Sequence, residues 1–278
     1  MIRNWLLVLA VAVVAAGTPA FAGGVQFRWQ AGQVLNYKVE QTTAVTDNAE
    51  GKKLETATKL TNVKHWQVLE VDPAGTATLQ MSLLALRIES KTPSGETIVF
   101  DSAKPAESNP QMRDQLAKYV GQPLVVIRVD ARGRMVEVKK CEVGSPSRFE
   151  AEPPFALTLP ETDLQVGQSW QRSYQITLDP PQGTGEKYDA LQKYECRSVQ
   201  DGAATIALGS MVKNPPASAG DAIPLLQMQP SGGVVFNIQA GRMERAYLRI
   251  DKEVKGHQGE GSSYKFQSTY SEEYAGDR

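Results

Sequence analysis

The sequence predicts a mainly β protein: two duplicated antiparallel curved-sheet lobes, with one short helix at about residues 109–120 in the first. Three observations predict it. Apolar and polar residues alternate along most of the chain, the period of a half-buried strand. Turn residues, chiefly glycine, punctuate those runs. Three landmarks also occur twice in the same order. These are small-Gly-Gln before a strand (Gly32, Gly167), a turn leading into Ala-Thr (Gly75, Gly202), and Gly-Arg-Met at a turn (Gly133, Gly241). The spacing between copies shrinks along the chain, as a duplication with deletions requires.

The amino terminus reads as a targeting segment. Arg3 is the sole charge in the first 22 residues, an apolar run covers 5–16, and Ala20-Phe21-Ala22 is a small-x-small motif. This predicts a signal peptide cut before Gly23, with Ala20 and Ala22 filling the peptidase's small pockets. The run is well short of the ~20 apolar residues that span a bilayer, and no later segment is apolar enough to span. The expected organisation is a signal peptide over 1–22, a first β lobe over 23–145, a proline-rich linker over 146–165 and a second β lobe over 166–278. The expected location is the periplasm or the extracellular space.

In the first copy, Leu35, Tyr37 and Val39 share a face. Leu79, Met81 and Leu83 share another, but Leu84, Leu86 and Ile88 have the opposite parity, which predicts a bulge at Leu83–Leu84. In "NPQMRDQLAKYVG", Asn109 can cap a helix, Pro110 suits its first position and Gly121 can end it. Met112, Leu116, Tyr119 and Val120 then fall on one face. "PLVVIRVD" and "MVEVKK" flank Gly133 as a hairpin, with Val136 and Val138 expected on one face. The linker carries Pro146, Pro153, Pro154 and Pro160 and is expected to be irregular.

In the second copy, Trp170, Tyr174 and Ile176 align, and Arg172 breaks the row. "GDAIPLLQMQPSGG" stands where the helix should be, but Pro224 and Pro230 restrict it to at most one irregular turn. Val234, Phe236 and Ile238 lead into Gly241; Leu248, Ile250 and Val254 follow it. Tyr264, Phe266 and Tyr270 align on the last strand. Each curved sheet needs its apolar face covered, by the helix, the linker or the other lobe.

The phrases "LTLPETDLQVGQSW" and "FRWQAGQVLNYKVEQTT" resemble those of uncharacterised exported bacterial proteins with a duplicated β domain. Leu159-Pro160, Val166-Gly167 and Ser169-Trp170 carry the likeness in the linker; Gly32 and Tyr37 carry it near the start. The resemblance implies a fold and no catalytic residues. A more distant likeness, of fold only, is to the half-barrel lipoprotein carriers of the periplasm.

Composition excludes some functions. The chain has 30 Lys+Arg against 31 Asp+Glu, so it lacks the basic stripe of a nucleic-acid binder. Hydrophobic content of 41% is enough for a core and too high for a disordered chain. No nucleophile elbow, His-Glu-x-x-His motif or zinc-ligand spacing occurs, and no cofactor is implied. His65, beside Trp66, reads as a surface or edge residue. His257 lies in a glycine-rich hairpin tip. Asp72 and Asp130 serve turns, and Glu272 and Glu273 read as solvated.

Cys141 and Cys196, one per copy, invite a disulfide in an exported chain. Their strand phases disagree unless the chain bends at Lys139-Lys140; the alternative is two separate thiols. The functional expectation is a non-enzymatic envelope protein that binds a partner protein or an apolar ligand through its sheet faces or inter-lobe groove. The alternative is an envelope hydrolase assembled from scattered acids and His65.

Overall fold

Among the described residues most strands bury one face and wet the other, so apolar and polar residues alternate along them. The computed structural model describes residues 24–277; the proposed cleavage site at Ala20, Ala22 and Gly23 lies outside them. Twelve strands form one antiparallel sheet. In the first half they are β1 (Val34–Ala49), β2 (Lys52–Val71), β3 (Ala77–Lys91), β4 (Thr97–Asp101), β5 (Pro123–Val129) and β6 (Met135–Cys141). In the second they are β7 (Ser169–Leu178), β8 (Glu186–Gln200), β9 (Ala203–Val212), β10 (Ser231–Asn237), β11 (Arg242–Lys255) and β12 (Ser263–Gly276).

The sheet order is β6-β5-β3-β2-β1-β12-β11-β10-β9-β8-β7, with β4 paired to β3 off this path. The first half thus runs β6-β5-β3-β2-β1, and β11-β10-β9-β8-β7 repeats that order. β12 has no counterpart; it pairs with β1 on one side and β11 on the other, joining the halves into one sheet. The two small-Gly-Gln turns are held alike. Gly32 N donates to Val68 O (2.8 Å) and Val68 N to Gln33 O (2.9 Å); Gly167 N donates to Cys196 O (2.8 Å) and Cys196 N to Gln168 O (2.9 Å).

The expected bulge is present: Val63 pairs with Ala85 and Lys64 with Leu83, leaving Leu84 extra and exposed. The helix is also where expected. Helix α1 (Pro110–Leu116) continues as a 3-10 turn over Ala117–Tyr119, and Asn109 Oδ1 caps it by accepting from Met112 N at 3.1 Å. In the second half more helix forms than the prolines predict: α3 (Ala219–Ala222) runs into a 3-10 segment, Ile223–Met228, that buries Leu225 and Leu226. Pro224 is tolerated because it sits at the start of that segment, where its missing N–H is not needed. Val136 corrects a second expectation. It does not share Val138's face, because bulges on β6 offset the pairing with β5, leaving Val136 exposed and Val138 packed on the core.

The Gly-Arg-Met turns explain how the sheet curls. Phe27 N donates to Ala131 O (2.7 Å) at the first turn, and Arg28 N to Gly241 O (2.9 Å) at the second. Phe27 also meets Phe236 of β10 edge-on at 5.0 Å. One short segment therefore touches strands far apart in the sheet order. Gly133 (φ +81) and Gly241 (φ +64) supply the left-handed backbone. They also leave room: a Cβ at 133 would lie 2.7 Å from Leu157 O, and one at 241 would lie 2.7 Å from Arg28 N.

The proline-rich stretch is part of the core. It contains one helical turn, α2 (Arg148–Ala151), and is otherwise irregular. Phe155 is 1% exposed and packs at 5.4–5.8 Å from the rings of Phe27, Trp29, Tyr37 and Trp66. Leu157 and Leu159 are buried beside it. Leu159 N donates to Arg132 O at the β5–β6 turn (2.8 Å), and Thr158 O accepts from Trp170 Nε1 on β7 (2.7 Å). The stretch thereby bridges the two ends of the sheet order and covers the apolar face that the curl encloses.

The expected disulfide is not formed; Cys141 and Cys196 are free thiols. The bend at Lys139-Lys140 does occur, since Val138 pairs with Ile127 and Lys140 with Val126, and it returns Cys141 to the core side. Each sulfur nevertheless turns to a carbonyl two residues along its own chain: Cys141 Sγ to Val143 O (3.2 Å) and Cys196 Sγ to Ser198 O (3.7 Å). Burial pushes the Cys196 thiol's pKa up.

Candidate functional site

The inward-facing rows of β1, β2, β3, β5, β11 and β12 enclose, with the linker and the 3-10 segment, a cavity of about 460 Å³. That lies in the range of small-molecule sites. One wall is apolar. β3 contributes Met81 and Leu83, β5 contributes Leu124 and Val125, and β11 contributes Leu248 and Ile250. Phe149, Pro153 and Pro154 of the linker and Met228 face them.

The centre of the sheet is polar. On β2, Asn62, Lys64 and Trp66 point inward in sequence, because alternate residues share a face. On β12, Ser268, Tyr270 and Glu272 do the same. β1 lies between, with Val39 paired to both Asn62 and Glu272. Lys64 reaches across it: Nζ lies 3.0 Å from Glu272 Oε1 and donates to the Tyr270 hydroxyl at 2.8 Å. The Tyr270 hydroxyl donates in turn to Glu272 Oε2 at 2.6 Å. Burial, and then the charge of Glu272, push the Tyr270 hydroxyl's pKa well above its ordinary value. Tyr270 therefore stays a neutral donor to the carboxylate.

Glu272 is 1% exposed, which corrects its reading as a solvated acid. Burying a carboxylate is costly unless it is paired and hydrogen-bonded; here both oxygens have partners. Two other polar atoms of the lining have none. Asn62 Oδ1 and Trp66 Nε1 are buried without a hydrogen-bond partner. At the second half's side of the cavity, Gln192 is engaged at both ends of its amide. Its Oε1 accepts from the Tyr194 hydroxyl (2.5 Å) and from Arg172 Nε (2.8 Å), and its Nε2 donates to Ser210 Oγ (3.1 Å). Arg172, the residue that breaks the β7 row, also donates to Glu150 O and Ala151 O and so ties α2 over the cavity. On α2, Arg148 pairs with Glu152 at 3.1 Å.

The remaining candidates lie elsewhere. His65 sits on the other face of β2 and its Nδ1 lies 2.8 Å from Asn36 Oδ1, an amide and not an acid. It is not among the cavity's lining residues. His257 occupies the glycine-rich hairpin tip between β11 and β12, with Nε2 3.0 Å from Asp47 Oδ1 and the ring edge-on to Tyr264. Asp72 and Asp130 each accept two backbone N–H groups of their own turn. Among the described residues, no three His, Cys, Asp or Glu side chains gather as metal ligands, and no helix is long and apolar enough to cross a membrane.

No protein-family model matches the chain, and no curated protein is similar to it in sequence. Solved structures with some likeness include DynF from the dynemicin biosynthesis pathway of Micromonospora chersina. That match has 8% identity and a TM-score of 0.21, over 98% of this chain and 92% of that one. A DUF1329 family protein from Desulfovibrio piger is 10% identical, with a TM-score of 0.17, over 88% of this chain and 86% of that one. The COG4313 outer membrane channel from Pseudomonas putida is 8% identical, with a TM-score of 0.21, over 92% of this chain and 99% of that one.

Proposed function

We propose that this is an exported, internally duplicated envelope protein that binds an apolar ligand in its central cavity and does no chemistry on it. The single observation that carries this reading is the cavity's lining: apolar walls around a small polar centre in which Lys64 and Glu272 pair with each other. An apolar ligand gains from leaving water for such walls, at about 25 cal/mol per Å² buried. His65 faces away from the cavity and touches an amide, which weighs against a hydrolase built on it. The repeated strand order and the matched Gly32 and Gly167 turns support the duplication.

The test is to express the full chain in a Gram-negative host, purify it from periplasm and medium, and sequence its amino terminus. Native mass spectrometry then reads any bound molecule. A chain starting at Gly23 with a one-to-one lipid-sized adduct is the expected result. A retained Met1 would remove the export reading. A protein that takes up no apolar compound at all would remove the binding reading.

A further inference from the structure

The cavity's polar centre restricts the head of any ligand that its apolar walls hold. Resting on the proposed binding of an apolar ligand, we infer that this ligand is an uncharged amphiphile whose head carries a hydroxyl, seated between Asn62 and Lys64. At the polar centre Lys64 lies 3.0 Å from Glu272, and at the linker Arg148 lies 3.1 Å from Glu152; the fifth charged residue of the lining, Arg249, is exposed on β11 and stands apart from the Asn62–Lys64 row. An anionic head at Lys64 would also meet the Glu272 carboxylate, and a cationic head would meet Lys64. In a site of low dielectric either repulsion is strong.

Asn62 is the informative residue. It is 8% exposed, it lines the cavity, and its Oδ1 is buried with no hydrogen-bond partner. Of the neighbouring polar groups, Tyr270 is held between Lys64 and Glu272 and Ser268 by Thr42 O at 3.0 Å, while Trp66 Nε1, a donor in the same row, is without a partner like Asn62 Oδ1. A buried amide oxygen without a donor is costly, and a ligand that supplies one relieves that cost. Lys64 Nζ has three N–H groups and two partners, Tyr270 and Glu272. Asn62 and Lys64 stand two residues apart on one face of β2, roughly 7 Å at Cα. A hydroxyl is the smallest neutral group that can donate to Asn62 Oδ1 while accepting from Lys64 through the same atom. The acyl or alkyl chain then lies on Met81, Leu83, Leu124 and Val125. A monoacylglycerol has this chemistry; a fatty-acid methyl ester lacks the donor, and a fatty carboxylate lacks both donor and neutrality.

The test uses three ligands with one chain and different heads: monoolein, methyl oleate and oleate. Each competes for the purified full chain against the uncharged fluorescent probe N-phenyl-1-naphthylamine at neutral pH. Monoolein is expected to bind about tenfold more tightly than either of the others, the value of one good hydrogen bond. Asn62→Leu keeps the volume and removes the polar atoms; the preference for monoolein over methyl oleate should then fall to within about twofold. Equal binding of monoolein and methyl oleate by the unaltered protein overturns the inference and leaves the binding reading intact. So does a tenfold preference that survives Asn62→Leu. Tightest binding by oleate overturns it in favour of an anionic ligand. Failure of the probe and of all three ligands to bind overturns both readings.

Discussion

Phe155→Ala tests whether the proline-rich stretch is core or connector. Phe155 is 1% exposed and packs on Phe27, Trp29, Tyr37 and Trp66, four aromatic residues from two different parts of the chain. Truncating such a ring removes its transfer free energy and leaves a cavity that rigid aromatic neighbours cannot fill, a loss of about 3–5 kcal/mol. For a chain of this size each kcal/mol lowers the Tm by roughly 2–4 °C, so the melt should fall by roughly 10 °C. Urea unfolding, followed by far-UV circular dichroism, gives the free energy directly. Val166→Ala is the control just past the same stretch: Val166 is 67% exposed, and its loss should stay within about 0.5 kcal/mol. A cost below about 1 kcal/mol for Phe155→Ala would refute the assignment of the stretch to the core and make it a connector.

Other perturbations have equally definite outcomes. Lys64→Met leaves the Glu272 carboxylate buried and unpaired and should cost about 3–5 kcal/mol in urea unfolding; Lys64→Met with Glu272→Leu should recover most of that. A single variant as stable as the parent would contradict the pair. Gly241→Ala forces a side chain into a left-handed backbone and against Arg28, whereas Gly51→Ala (φ +71) meets open space; the first should lose more than about 1 kcal/mol beyond the second. Unfolded without reductant, the protein should show two titratable thiols, and folded it should label at half-exposed Cys141 well before buried Cys196. One thiol or none would restore the bridge. The Asp179 carboxyl is held below its ordinary pKa by the hydroxyls of Ser145 and Ser147, and that of Asp101 by Arg87. Groups depressed in the fold stabilise above their unfolded pKa, near 4, and lose that contribution as pH falls through the folded value. Urea midpoints should therefore drop below about pH 4, and less steeply in Asp179→Asn; an equal slope in both removes Asp179 from the account.

Much of the architecture is legible in the sequence because strands write their burial locally. The row Leu35, Tyr37, Val39, the bulge at Leu84 and the cap at Asn109 all follow from period, parity and residue chemistry. The Gly-Arg-Met turns are half legible. Their need for a left-handed glycine shows in the sequence, but their second need, space for Phe27 and Arg28 to pass, depends on a segment a hundred or more residues away. Val136 departs from its expected face because bulges on β6 shift its parity. The linker departs from expectation because prolines forbid regular hydrogen bonding without forbidding burial; Phe149, Phe155, Leu157 and Leu159 are the signal of its place in the core.

The cavity's polar centre shows where local reading ends. Glu272 falls two residues after Tyr270 on the same face of β12, so its inward direction is implied by the row Tyr264, Phe266, Tyr270. What no local pattern supplies is its partner. Lys64 reaches Glu272 only because β1 separates β2 from β12, a neighbourhood set by pairing residues more than two hundred positions apart. The second half makes the point by contrast. The matched turns bond Gly32 and Gln33 to Val68, and Gly167 and Gln168 to Cys196. Counting back from those anchors sets Trp66 against Tyr194, Lys64 against Gln192 and Asn62 against Ala190. All three positions keep the inward direction, yet no twin of β12 lies beside the second set. There a neutral amide satisfied by Arg172, Tyr194 and Ser210 replaces the lysine, and a buried alanine replaces the unpaired asparagine. The lysine's carboxylate comes from β12, the strand without a counterpart, so the Lys64–Glu272 pair stands at the seam of the two halves.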